Sequence, residues 1–155
     1  MKYFEDFEAG EVYDLGTRAV SAEEIIAFAR KYDPQPFHVD PEAAKDSAFG
    51  GLIASGWHTS AMFMSLLANT IKREKWASMG APGLDTCRWV VPVRPGDILS
   101  AKMEVLELRR SKTRPFGILR NRSSMTNQDG KEVMFVEGIG LYGLRPDPAK
   151  TEDAA

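Results

Sequence analysis

The segment from Trp57 to Ile71 restricts the fold of this chain more than any other. Trp57, Ala61, Met62, Met64, Leu66, Leu67, Ala68 and Ile71 place apolar side chains nearly all round a helix instead of along one stripe. Such a helix is buried on most of its sides, so other parts of the chain have to wrap it. The sequence after Gly83 supplies the wrapping. Leu84 to Val93, Ile98 to Arg109, Gly117 to Gln128 and Lys131 to Leu144 read as four strands rich in Val, Ile, Leu and aromatic residues. Arg94-Pro95-Gly96-Asp97, a basic loop over 110–115 and Asn127-Gln128-Asp129-Gly130 are the turns between them. Strands joined by short turns form an antiparallel sheet, and such a sheet packed by one face on a helix gives an α+β fold, a sheet wrapped around a long central helix. In the second of these strands Leu99, Ala101, Met103 and Val105 share a face before the apolar parity shifts to Leu106 and Leu108. That shift predicts a bulge, which a curling sheet needs.

The chain ahead of the helix is dense in start and stop signals. Val12 to Val20 reads as a first strand. Ser21-Ala22-Glu23-Glu24 then forms a capping box, and Ile25, Ile26, Phe28 and Ala29 give the helix from Ala22 to about Lys31 its apolar face. Pro34 ends that helix, so Asp33 sits just past its last turn. Asp33-Pro34-Gln35-Pro36-Phe37-His38 is read as a loop in which two prolines fix the backbone and hold an acid and a histidine in one geometry. Asp40-Pro41 opens a short helix through about Lys45. After Gly50-Gly51, Ser55-Gly56 starts the long helix, with an interruption expected between Asn69 and Trp76. The unpaired N–H groups of its first turn would face any cavity under the sheet and could bind developing negative charge.

Composition removes several function classes. A net charge of −2 lacks the clustered positive charge that nucleic-acid binding requires. Cys87 is the only cysteine and there are two histidines, so neither an intrachain disulfide nor a recognisable zinc site is expected. The N-terminal residues carry acids where a secretory signal would be apolar, and no apolar run reaches bilayer-spanning length. The expectation is one cytoplasmic domain over residues 1–146, with a flexible tail over 147–155.

The order of these pieces resembles a known family. Asp33-Pro34-Gln35-Pro36-Phe37-His38-Val39-Asp40, then Phe49-Gly50-Gly51-Leu52-Ile53-Ala54-Ser55-Gly56, then Pro92-Val93-Arg94-Pro95-Gly96-Asp97 are similar to the MaoC-like, hot-dog-fold hydratases and dehydratases, among them the R-specific enoyl-CoA hydratases. The resemblance implies a single hot-dog domain that reversibly hydrates a trans-2-enoyl-CoA, or dehydrates an (R)-3-hydroxyacyl-CoA, without metal or redox cofactor. It assigns water activation to Asp33 and His38, and binding of the thioester oxygen to the N–H of Gly56. Phe37, Ser55, Trp57, His58 and Met64 are the expected substrate-binding residues. A homodimer, or an assembly of dimers, is implied as well. Acid–base chemistry of this type suits histidine, whose ordinary pKa near neutrality lets it pass protons in both directions.

Three positions depart from the family pattern. Gln35 stands where Asn is usual. Ser55 replaces the histidine that often precedes the glycine, with His58 following two positions after Gly56. Met64 occupies the place of a serine, with Ser65 one step out of register. Taken alone, each feature has a plainer reading: Asp33 as a turn cap, His38 as a donor to a carbonyl, Ser55 as a helix cap, the methionines as core filler and Arg109 to Arg114 as a solvated loop rather than a landing site for CoA phosphates. Two other functions share the fold, a non-catalytic acyl-CoA-binding or regulatory protein and an acyl-CoA thioesterase. The thioesterase is disfavoured by the lack of an acid on the central helix.

Overall fold

Ser21 Oγ accepts the N–H of Glu24 at 3.1 Å and starts the first helix where the sequence places it. The Glu24 carboxylate does not complete the expected box; it turns to Arg18 and His58, because a guanidinium is a stronger partner than one backbone N–H. In the computed structural model residues 1–147 are described. Strand β1 (Val12–Ala19) is followed by helices α1 (Ala22–Tyr32), α2 (Pro36–Val39), α3 (Pro41–Lys45) and α4 (Gly56–Arg73), then by strands β2 (Ser78–Gly80), β3 (Leu84–Trp89), β4 (Ile98–Arg110), β5 (Phe116–Thr126) and β6 (Glu132–Gly143). The tail expected over 147–155 lies, except for Asp147, outside the described residues. No helix among the described residues is long and apolar enough to cross a membrane.

All strand pairs are antiparallel, in the order β1-β4-β5-β6, with β2 and β3 side by side in sequence along the far edge of β6. The bulge foreseen in β4 falls at Leu106: pairing with β5 skips from Val105 to Glu107. A second lies at Leu15 of β1, beside Gly16, which adopts a positive φ of 96°. Both increase local twist and curl the sheet. Leu15, Leu99, Ala101, Met103, Val105, Leu119, Met125, Val133, Met134 and Val136 line its concave face, where Met62, Phe63 and Leu66 of α4 complete the core.

Three expectations are corrected. Helix α4 is not enclosed on most sides. Its sheet-facing residues are buried, but Trp57, Ala61, Met64 and Ala68 form an exposed ridge at helical spacing, with Trp57 64% and Met64 53% accessible. One curled sheet covers only one side of a helix. Nor is α4 interrupted after Asn69: it runs unbroken to Arg73, and Lys75 at φ 53° then turns the chain so that the Trp76 N–H reaches Ile71 O at 3.0 Å and the indole enters the core. Strand β3 stops at Trp89 rather than Val93, because the Val93 carbonyl turns to the Ala54 N–H at 2.8 Å and ties this segment to the approach of α4.

Candidate active site

The acid and the histidine are set by two consecutive helix boundaries. Asp33 is the C-cap of α1, its N–H bonded to Ala29 O at 2.8 Å. Pro36 then begins α2, so Phe37 and His38 lie in a helical turn and not in the loop expected from the sequence; the fixed φ of Pro36 suits the first position of a helix. His38 is 5% exposed. Its Nδ1 is 2.8 Å from Ile53 O, and because a carbonyl only accepts, Nδ1 carries the hydrogen. Nε2 is left to face Asp33 Oδ2 at 3.3 Å. That same Oδ2 accepts from Ser55 Oγ at 2.7 Å, and Oδ1 accepts from Gln35 Nε2 at 2.7 Å. Burial alone would raise the Asp33 pKa, but the hydrogen bonds from Ser55 and Gln35 and the charge of His38 outweigh it and hold the carboxyl below its ordinary range. Gln35 therefore braces the acid despite departing from the family residue.

Ser55 joins this pair to the start of α4. Its side chain is fully buried, donates to Asp33 and caps the helix by accepting from the Trp57 N–H at 3.3 Å. Gly56 is the first residue of α4, and among the described residues no protein acceptor takes its N–H. The residue has to be glycine because of a close approach: a Cβ would lie 2.4 Å from the indole of Trp89. His38 and Gly56 both open onto one cleft of about 350 Å³, whose other walls are mainly apolar and include Phe37, Phe49, Trp89 and Val133.

Of the residues singled out from the sequence, His38, Gly56 and Phe37 line the cleft, while Asp33 and Ser55 stand behind His38 and the helix start. The other three are placed elsewhere. Trp57 projects outward and packs edge-on against Trp89. His58 turns towards α1, stacked on Phe28 with ring centroids 4.8 Å apart. Met64 borders a separate apolar pocket between α4 and the sheet. The loop over 110–115 belongs to the β4–β5 hairpin, which contributes nothing to the cleft lining. The residue that sequence reasoning missed is Trp89. Its only signal is an aromatic side chain at a strand end just before Val90-Val91-Pro92. Among the described residues no three His, Cys, Asp or Glu side chains converge as metal ligands.

A family model for the MaoC like domain matches residues 6–127, a span that includes Asp33, His38, Ser55, Gly56 and Trp89. The chain belongs to the MaoC-like dehydratase family. Among solved structures it is similar to the MaoC-like dehydratase from Rhodospirillum rubrum, with 38% identity and a TM-score of 0.86 over 95% of this chain and 100% of that one. The uncharacterized protein YdeM of Bacillus subtilis is 34% identical over 142 residues, 86% of this chain and 92% of the relative. The 3-hydroxybutyryl-CoA dehydratase of Methylorubrum extorquens is 31% identical over 111 residues, 68% of this chain and 65% of that protein. This MaoC-like chain is accordingly a hot-dog fold, with α4 as the helix that its curled sheet embraces.

Proposed function

We propose that this protein is a hydro-lyase that adds water to a trans-2-enoyl-CoA and, in reverse, dehydrates an (R)-3-hydroxyacyl-CoA. The observation that carries the reading is the Asp33 carboxylate shared between His38 Nε2 and the Ser55 hydroxyl, which couples an acid–base pair to the free N–H of Gly56 at one cleft. In the hydration direction His38 Nε2 takes a proton from water as its oxygen attacks the β-carbon. Asp33 stays ionised and stabilises the resulting imidazolium, and the electrons displaced onto the thioester oxygen are held by the Gly56 N–H and the positive end of α4. Return of the proton from His38 to the α-carbon completes the addition. Each step uses an acid, a base or an oxyanion donor, so neither a metal nor a redox cofactor is needed. The name of the Methylorubrum relative supports a CoA thioester as the substrate.

The exposed apolar ridge of α4 supports a homodimer, or an assembly of dimers, in which a second copy covers Trp57 and Met64. A reducing, cytoplasmic setting fits the single free Cys87.

The test follows the loss of enoyl-thioester absorbance with crotonyl-CoA for wild type, Asp33→Asn and His38→Gln, with circular dichroism as the folding control. Hydration by wild type and a loss of about a hundredfold or more in both folded variants is the expected result. Variants as active as wild type would move catalysis away from this pair. Tight acyl-CoA binding without turnover would instead favour a binding protein. A thioesterase would release free CoA, and helix α4 carries no carboxylate to serve one.

A further inference from the structure

Gly56, Ser60, Met64, Leu67 and Ile71 succeed one another at helical spacing along the groove between α4 and strands β3 and β6. Two cavities lie in that groove. Trp89 is part of the lining of the cleft of His38 and Gly56. The other, about 160 Å³ and largely apolar, lies further along the helix, bordered by Phe63, Met64 and Leu67 on one side and by Leu84, Val136 and Tyr142 on the other. Trp89 lines the first cavity and not the second, and Ser60 lies on α4 between Gly56 of the one and Met64 of the other. Trp89 Nε1 donates to Ser60 Oγ at 3.1 Å, and Ser60 Oγ donates in turn to Gly56 O at 3.2 Å. The same hydroxyl lies 3.5 Å from Met134 Sδ on β6 and 4.0 Å from Cys87 Sγ on β3, so it spans the groove from helix to sheet. The indole is fixed a second time by contact with Gly56 and a third by the ring of Trp57, whose centroid is 5.1 Å away.

We propose that Trp89, latched to Ser60, is a specificity-determining residue: it partitions the cleft from the apolar pocket beyond and restricts the enzyme to short acyl groups. The inference rests on the enoyl-CoA reading given above. Its physical basis is that the partition is a side chain, not backbone. One neutral hydrogen bond and ring contacts hold it, so its removal would open the cleft towards the second cavity, past Ser60, Cys87 and Met134, without breaking the sheet. Gly56 and Met64 are separated by roughly 12 Å along the helix axis. An acyl chain that begins at the Gly56 N–H and runs beside the helix would meet methylene-compatible walls as soon as the indole is gone.

The experiment compares wild type, Trp89→Ala, Trp89→Leu and the double variant Trp89→Ala/Leu67→Phe. For each, kcat/KM is measured with trans-2-enoyl-CoAs of increasing length from crotonyl to decenoyl, and calorimetry gives Kd for butyryl-CoA and decanoyl-CoA. Wild type is expected to prefer crotonyl-CoA, and Trp89→Ala to raise the octenoyl-to-crotonyl ratio about tenfold or more. Trp89→Leu should shift it less, and Leu67→Phe should reverse the gain by refilling the second pocket. Trp89→Leu keeps apolar packing on Gly56 and decides the matter if the alanine variant does not fold. An octenoyl-to-crotonyl ratio that is already high in wild type, or unchanged in the folded variants, overturns the partition. If no thioester is hydrated by any of the proteins, the hydratase reading fails and calorimetry judges the partition alone. A tenfold gain in decanoyl-CoA over butyryl-CoA binding on loss of Trp89 upholds it, and an unchanged ratio overturns it.

Discussion

The chain has two histidines, and the structure places them in superficially equal surroundings. His38 is 5% and His58 3% exposed, and the Nε2 of each lies close to a carboxylate oxygen, 3.3 Å from Asp33 and 3.5 Å from Glu24 respectively. The differences are at the other ring nitrogen and in what the ring can reach. His38 Nδ1 is committed to Ile53 O, which fixes its tautomer, and the ring borders the cleft. His58 Nδ1 is buried with no hydrogen-bond partner among the described residues, its carboxylate is already engaged by Arg18, and its ring lies against Phe28. A histidine beside an acid is thus not in itself a site. A fixed tautomer, an acid held ionised by neighbouring donors, and access to a cavity are what the proposed acid–base role of the first pair rests on.

The largest effects should separate the two pairs outright. His38→Gln is expected to lower kcat/KM for crotonyl-CoA by about a hundredfold or more, while His58→Gln stays within a few-fold of wild type. Equal losses in two folded variants would show that the distinction drawn between the pairs is wrong. A smaller loss, in stability, is expected where the helix start meets the cleft. The Cβ of Gly56→Ala would lie 2.4 Å from the Trp89 indole, so the variant should lose about 1–3 kcal/mol in denaturant unfolding. Adding Trp89→Ala should restore most of that loss, a coupling that a simple helix-propensity effect would not produce.

Much of this was legible in the residues, and for stated reasons. Asp33 and His38 lie among prolines whose fixed φ leaves few conformations, and the slip of parity after Val105 marked the bulge at Leu106. What escaped depends on contacts distant in sequence. Trp89 reads as an ordinary strand aromatic until the fold brings it onto Gly56, and a first-turn histidine such as His58 faces cleft or core according to where the sheet lies. Glu24 had two competing uses, and only the fold reveals that Arg18 and His58 take it from the cap. Hydropathy likewise marked α4 as apolar all round, but hydropathy does not say whether one sheet or another surface covers each side.

Ser55 sharpens the comparison at a lower magnitude, since it acts on the acid and on the helix together. Ser55→Ala removes the side-chain cap of α4, which should lower stability by about 1 kcal/mol. It also removes one of the hydrogen bonds that hold the Asp33 carboxyl below its ordinary range, so the pKa of that group, followed by NMR of its carboxyl carbon, should rise. Gln35→Ala, which removes the bond to the other carboxylate oxygen and leaves the cap, should raise it as well without the loss of helix stability. A carboxyl pKa that rises in neither variant would mean that these donors do not tune the acid.

The smallest expected effect belongs to His58 and has a definite sign. Burial lowers its pKa, the hydrogen bond and charge of Glu24 oppose this, and the charge of Arg18 adds to the lowering. The unfolded chain takes up a proton around the ordinary histidine value of 6.5, whereas the folded protein resists it until lower pH. Over that interval the unfolded state binds more protons, so stability must rise with pH. The contribution of His58 is therefore complete above the unfolded value and is lost as pH falls towards the depressed folded one. His58→Phe keeps an aromatic ring on Phe28, removes the orphaned Nδ1 and abolishes the titration. Its Tm should fall less steeply than that of wild type as the buffer is taken from neutrality to about pH 5, while the acid sensitivity due to Asp33, which sets in only below the ordinary carboxylate value of 3.8, persists. Identical slopes in the two proteins would place the acid-sensitive buried group elsewhere. A flatter slope with unaltered kcat/KM would show that the second histidine–carboxylate pair belongs to the packing of α1 on α4 and has no part in the chemistry.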